Sequence, residues 1–271
     1  MLSQLPKKKN SVGGKGVTLI CGLLLLTLQY TANVAAAEKK IDLQWLGHSA
    51  FKIVSLTGKV IVIDPFLSNN PKTPAEYKNI YALGKIDTIL ITHGHADHVG
   101  DTVALAKKYK APVYAPPGLS DSFIALGVLP KKLLPKFNKG GVVTPWGNDI
   151  KITMTHAEHS SEYKWKNRRT GAIELHVGGE PVGYIIEFEN GFKIYHMGDT
   201  GLFGDMRLIG DYYNPDLILI PIGSNYTMGP IDAAYATTEL LKPHFAIPIH
   251  YGTFPVLKGT PAQYRHALGD S

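Results

Sequence analysis

An intrachain disulfide is impossible in this chain, because its 271 residues contain one cysteine, Cys21. That excludes a disulfide-stapled scaffold and any zinc site built from cysteine pairs. Stability must therefore come from a packed core and from whatever that core binds. Long apolar runs are equally scarce. The best of them, Gly16 to Leu28, falls short of the roughly twenty residues of a membrane-spanning helix and gives way to Gln29. Internal repeats and low-complexity linkers are missing as well, which points to one domain.

The N-terminus does carry a pattern. Lys7, Lys8, Lys9 and Lys15 precede the apolar run, and Ala32-Asn33-Val34-Ala35-Ala36-Ala37 follows it. This is the basic, apolar and small-residue order of a cleavable secretory signal. We expect residues 1–37 to be removed near Ala36 or Ala37, leaving a periplasmic or secreted protein with no stable membrane insertion. A lipoprotein signal at Cys21 is disfavoured, since Ile20 precedes it where a small residue is wanted. Four of the 28 basic residues leave with the leader, so 24 then face 22 acidic ones. The apparent basicity thus belongs to targeting, and no nucleic-acid partner is expected. Residues 38–271 suffice for one sizeable core.

Across that body short β-rich runs recur: Ile41 to Trp45, Phe51 to Val54, Val60 to Ile63, Thr88 to Ile91 and Val113 to Ala115. Ile150 to Thr155, Val182 to Phe188, Lys193 to His196, Leu217 to Ile220 and Phe245 to Ile249 follow. Helical spacing marks Thr102 to Tyr109, Leu119 to Leu126 and Ala233 to Leu241, the last with Asp232 as its N-cap. Strands outnumber helices and the early ones are hairpin-linked. The fold class expected is α+β, with two mixed sheets and helices outside.

Directly after the run Thr88 to Ile91 comes Thr92-His93-Gly94-His95-Ala96-Asp97-His98. Core packing has no use for three histidines and a carboxylate in six positions. Imidazole nitrogen and carboxylate oxygen are ligands for zinc, iron and manganese. Other strand-like runs also end at such groups: Asp64 after Ile63, His156 and His159 after Thr155, Asp199 after the run ending at His196, and His250 after Ile249. A scaffold that delivers His or Asp at several strand ends focuses them on one rim. His93 and His95 alternate with Gly94 and can point the same way. A third nitrogen comes from His156 or His159, and we favour His159. Asp97 and His98 then hold a second ion with His250. Asp199 is the natural bridge, because a carboxylate has two oxygens to share.

These residues resemble the ligand set of the metallo-β-lactamase fold hydrolases. Trp45-Leu46-Gly47-His48-Ser49-Ala50-Phe51, Ile63-Asp64-Pro65-Phe66, Gly198-Asp199-Thr200, the stretch from Pro221 to Pro230, and Ile249 to Pro255 extend the likeness from about Ile41 to the end. Within that superfamily the chain is similar to uncharacterised metal-dependent hydrolases near the ascorbate-6-phosphate lactonase and N-acylphosphatidylethanolamine phospholipase D branches. The resemblance implies an αββα sandwich with metals at the sheet edges. It also leads us to expect one more β-rich segment after the final helix.

The chemistry expected is hydrolysis of an ester, lactone, amide or phosphodiester by hydroxide bridged between two divalent ions, zinc first and Mn2+ or Fe2+ next. Asp97 is the candidate catalytic residue, as ligand and proton carrier. His48 either reaches the site or hydrogen-bonds between strands. Asp64 either fixes a ligating histidine from behind or caps a turn beside Pro65. Tyr226 could meet a substrate oxygen, although a core tyrosine is the plainer reading. His176, His196, His244 and His266 read as structural or exposed. Trp165 to Arg169 is a positive lid for an anionic substrate or a solvated loop. Substrate choice is expected in the loop from Ser160 to Pro181. The partner is a small-molecule substrate, and oligomeric state is not legible. Rival readings are a phosphodiesterase or phospholipase acting on lipid or nucleotide, a di-iron oxidoreductase, and a non-catalytic metal-binding protein.

Overall fold

The computed structural model describes residues 39–269, so the expected leader, with Cys21, lies outside the described residues. The first sheet is built from β1 (Asp42–Trp45), β2 (Phe51–Val54), β3 (Val60–Ile63), β4 (Thr88–Leu90) and β5 (Val113–Tyr114), in that order. β1, β2 and β3 are antiparallel, whereas β3, β4 and β5 run parallel. The chain then forms β6 (Val142–Val143), β7 (Lys151–His156), β8 (Glu162–Lys166), β9 (Ile173–Val177), β10 (Val182–Glu187), β11 (Lys193–His196), β12 (Leu217–Pro221) and β13 (Phe245–Ile249). The second sheet has the order β13-β12-β11-β10-β7-β6, and β8 and β9 form a two-stranded sheet.

Alternation along the strands decides the layers. Ile61 and Ile63 of β3, Leu90 of β4, Tyr184 and Ile186 of β10, and Leu217 and Leu219 of β12 share one buried cluster, so they fill the space between the sheets. Their neighbours point the other way. Val62 and Ile89 pack with Leu105 and Ala106 of one helix and Leu119 and Phe123 of another. Ile185, Ile218 and Ile220 pack with Ala233, Ala234 and Tyr264 on the far side. The helices are α1 (Ala96–Val99), α2 (Thr102–Tyr109), α3 (Pro117–Ala125), α4 (Met206–Leu208), α5 (Pro230–Tyr235) and α6 (Pro261–Leu268). Helices on both outer faces make the αββα sandwich. A leucine buried as Leu90 is would cost about 2–5 kcal/mol on truncation to alanine.

Two expectations need correction. Asp232 does not cap its helix: α5 starts three residues earlier, with Gly229 as N-cap and Pro230 at the first position. Proline is preorganised for a first turn, which moves the start upstream. Asp232 lies in the first turn, and Ala236–Leu241 continues α5 as a π-helical turn. Nor is the stretch from Ser160 to Pro181 a loop, since it folds into the β8–β9 hairpin. Its period-two pattern, with Tyr163 and Trp165 half-buried between exposed Glu162, Lys164 and Lys166, is present in the sequence.

Strand direction sets where the chemistry can sit. β1, β3, β4 and β5 point one way in the first sheet. In the second, β7, β11, β12 and β13 share one direction, with β10 opposed. Hydrogen bonds join the two sheets at the ends of these strands. Val182 N–H donates to the Thr92 carbonyl (3.0 Å) and His250 N–H to the His48 carbonyl (3.2 Å). The buried His196 ring donates from Nε2 to the Ser49 carbonyl (2.8 Å). Every His or Asp that follows one of these strands therefore arrives at the same rim.

The opposite rim is clamped by a carboxylate. Glu189, in the β10–β11 turn, accepts from Ser55 Oγ (2.8 Å), Thr57 N–H (3.0 Å) and Thr57 Oγ1 (2.6 Å) in the β2–β3 turn. Partial burial would raise its pKa, but the bonds from Thr57 and Ser55 outweigh that and hold it at about 2. A depressed carboxylate stabilises fully above its unfolded value and loses that contribution as pH falls toward the folded one. Glu189→Gln should therefore lower stability at pH 7 by on the order of 1 kcal/mol. Urea melts should show the deficit shrinking steadily below about pH 4.5. A deficit independent of pH would contradict this reading.

Candidate metal centre

The loop after β4 turns directly into α1, which places His93 and His95 before the helix and Asp97 and His98 on it. Its tight course depends on Gly94. A Cβ there would lie 2.9 Å from Gly178 Cα at the base of the hairpin, so backbone packs on backbone. Three groups of side chains converge. His93, His95 and His159 form one; His48, Asp97, His98 and His250 form another; His93, His98 and Asp199 form a third. Within each group the candidate donor atoms lie within 4.8 Å of one another. His93 Nε2 faces His95 Nδ1 at 2.9 Å. Asp199 spans the groups, with Oδ1 3.3 Å from His98 Nε2 and Oδ2 2.9 Å from His250 Nε2 and 3.7 Å from His159 Nε2.

Among the described residues, three buried atoms of these side chains have no hydrogen-bond partner: His98 Nε2, Asp199 Oδ1 and His250 Nδ1. An unsatisfied buried polar atom costs about 1–3 kcal/mol, and two of these, His98 Nε2 and Asp199 Oδ1, face each other at 3.3 Å, where a shared ligand would satisfy both. Imidazole and carboxylate donors fit a divalent cation. His156 is not part of this set. It ends β7 with Nε2 on Glu158 (3.3 Å) and its ring against Phe203, whereas His159, three residues on, reaches Asp199.

The groups behind the donors fix their orientation. Asp64 is fully buried. Its Oδ2 accepts from His98 Nδ1 (2.7 Å) and from Thr92 Oγ1 (2.7 Å), and its Oδ1 from Thr92 N–H (2.8 Å). Thr92 Oγ1 in turn accepts from His93 Nδ1 (3.0 Å). One carboxylate thus sets the tautomers of two histidines and turns both Nε2 atoms toward the cluster. On the exposed side Glu162 accepts from His95 Nε2 (3.1 Å), which leaves Nδ1 free to face His93. His48 bridges Thr253 Oγ1 (2.9 Å) and Asp97 Oδ2 (3.2 Å). His48, Asp64 and His250 all adopt left-handed backbone conformations, with φ of 58°, 43° and 53°. Such strain in non-glycine residues, about 1–3 kcal/mol each, is concentrated where the cluster sits.

Burial would lower the His98 pKa, but Asp199 and Asp64 on either side push it well above the usual histidine range. Burial would raise Asp199, yet His250 and His98 hold it well below the usual carboxylate range. The cluster therefore demands positive charge between its carboxylates. Asp97 stays ionised, because the His48 hydrogen bond and the His98 charge overcome the upward push of burial. Burial lowers His48 to about 4, so its ring is neutral near pH 7.

The rim opens into a cavity of about 400 Å³ lined by Asp97, His159, Glu162, Lys164, Asp199 and Tyr226, among others. Tyr226 is 61% exposed and belongs to this mouth. The core reading of that tyrosine is thereby overturned: its loop turns outward through Ser224 and Asn225, both at positive φ. Glu162, Lys164, Thr92 and Thr253 are not singled out by the sequence. Only the first two carry a signal there, the alternation of β8 three residues after His159.

Comparison with known proteins shows what the chain is similar to. The pattern of the β-lactamase superfamily domain matches residues 59–251. A UPF0173 metal-dependent hydrolase of Polaromonas sp. (strain JS666) is 56% identical over 255 residues, covering 94% of this chain and 92% of the relative. Another, from Rubrobacter xylanophilus, is 45% identical over 224 residues, covering 82% and 87%. Igni18, a metallo hydrolase of the hyperthermophilic archaeon Ignicoccus hospitalis, is 31% identical with a TM-score of 0.69, over 84% of this chain and 90% of that one. These relatives support the superfamily, and not the lactonase or phospholipase D branches in particular.

If Asp64 sets two donor histidines, Asp64→Asn should weaken metal retention by about 10–100-fold in chelator competition. Glu158→Gln, beside His156, should leave it unchanged. Equal retention in wild type and Asp64→Asn would contradict the assignment.

Proposed function

The chain belongs to the β-lactamase superfamily and, within it, to the UPF0173 metal-dependent hydrolases, and from that premise we propose a binuclear hydrolase acting on an ester, lactone, amide or phosphodiester of a small molecule. The observation that carries this reading is Asp199, whose two oxygens face donors from both sides of the cluster. His93, His95 and His159 would hold one ion, Asp97, His98 and His250 the other, and Asp199 both. Zinc suits this donor set best, with manganese and iron compatible. Divalent ions bound here would polarise the scissile carbonyl or phosphoryl oxygen and make water nucleophilic near neutral pH.

The protein's own groups divide the remaining work. Asp97 is ionised, 27% exposed at its side chain and set in the cavity wall, so it can accept a proton from the attacking water and pass it to the leaving group. His48 keeps the Asp97 carboxylate aimed. The carboxylate can only accept, so the neutral His48 ring donates from Nε2 and accepts from Thr253 at Nδ1. Lys164 places a positive charge at the mouth, which favours a substrate bearing phosphate or carboxylate. Tyr226 offers a hydroxyl at the same mouth. The second reading is a phosphodiesterase or phospholipase acting on a lipid or nucleotide, and Lys164 at the mouth is the feature that favours it. We place the enzyme outside the cytoplasm on the strength of the leader pattern in residues 1–37.

The test is hydrolysis by zinc-loaded protein of a panel holding a phosphodiester, a carboxylic ester, a lactone and, as the amide, a β-lactam. One class should be cleaved, and Asp97→Ala should lower its kcat by about 10²–10⁴-fold with the circular dichroism spectrum unchanged. Undiminished turnover in Asp97→Ala would remove Asp97 from the chemistry. A loaded protein that cleaves none of the four would contradict the bond classes proposed.

A further inference from the structure

The β8–β9 hairpin has one face covered and one bare. Tyr163 packs on Phe123 (ring centroids 5.0 Å apart), and Trp165 and His176 share its inner face. The other face carries Ile173, Leu175 and Val177 in a row along β9, exposed at 63%, 67% and 67%. Their cross-strand partners are Lys166, Lys164 and Glu162. Arg168 and Arg169 form the turn beyond. Glu162 is engaged by His95, but Lys164, Lys166, Arg168 and Arg169 make no ion pair among the described residues. An alternating strand should bury its apolar side, yet here the aliphatic side faces water beside the unpaired Lys164 and Lys166, while Arg168 and Arg169 line a cavity with Tyr163 and Trp165.

We propose that this face docks on an anionic lipid bilayer, which brings the mouth of the metal centre to the membrane surface. Aliphatic side chains beside lysines match the interfacial region of a bilayer, where the first enter the acyl boundary and the second meet anionic headgroups. A second copy of the chain fits less well. Three aliphatic side chains present only a few hundred Å², against about 800 Å² per partner in a stable interface. A twofold contact would also bring like charges together. Lys164 lines the catalytic mouth and stands on the bare face, so docking and access share one side. The proposal does not depend on which ions or bond the centre handles.

Because residues 1–37 contain an apolar run that can meet lipid by itself, the readout has to be local to the hairpin. The full chain carrying Leu175→Trp would be mixed with phosphatidylcholine vesicles containing phosphatidylglycerol with brominated acyl chains. Quenching beyond that of the wild-type protein is expected. It should weaken about fivefold for each of Lys164→Ala and Lys166→Ala, and vanish when salt is raised from about 0.1 M to about 1 M. Absence of added quenching would overturn the proposal. So would equal quenching by brominated phosphatidylcholine alone. A dimer seen by light scattering and dissociated by Leu175→Ser, with no vesicle quenching of the Leu175→Trp variant, would assign the face to a second copy.

Discussion

Two carboxylates, Asp64 and Asp199, are buried at one rim of the sandwich, and among the described residues only histidines form ion pairs with them. Buried negative charge without a lysine or arginine is among the most expensive arrangements a fold can hold, because desolvation costs several kcal/mol per ion. Asp64 is satisfied by hydrogen bonds from Thr92 and His98. Asp199 is not: its Oδ1 has no hydrogen-bond partner among the described residues. The rest of the site answers this constraint. Histidines ring Asp199, Asp64 holds two of them from behind, and a cation shared across Asp199 would supply the missing charge.

Such convergence needs a scaffold whose strand ends agree. His48 follows β1, Asp64 β3, the His93–His98 loop β4, His159 β7, Asp199 β11 and His250 β13, and these strands deliver their ends to one rim. The hydrogen bonds from Val182, His250 and His196 tie the two sheets together there, and Glu189 ties them at the other rim. Packing between the sheets therefore fixes metal geometry at a distance. The positive φ values of His48, Asp64 and His250 show how sharply the chain must turn as it leaves its strands.

Much of this is legible without coordinates. The β-rich runs become strands within a residue or two; in β3, β4 and β12, fully buried aliphatic runs leave little choice of conformation. The donors at strand ends are legible for the same reason: a residue following a buried strand has its position set by the sheet. What the sequence conceals depends on partners distant along the chain. Glu162 meets His95 and Thr253 meets His48 only after folding; Glu162 stands in no motif, and Thr253, inside the stretch from Ile249 to Pro255, carries no sign there of its partner. The hairpin reads as a loop although its alternation is plain, since its aliphatic residues point to solvent and break the usual link between pattern and burial. Tyr226 reads as a core residue because an aromatic side chain in a tight loop usually packs. The left-handed Ser224-Asn225 pair sends it outward instead.

Anomalous X-ray scattering at the zinc edge, from crystals of the metal-loaded protein, is the measurement that bears most directly on a shared Asp199. Two anomalous peaks about 3.5–4 Å apart are expected, one beside His93, His95 and His159, the other beside Asp97, His98 and His250, with Asp199 between them. A single peak elsewhere, or none after loading, would contradict a binuclear centre at this rim.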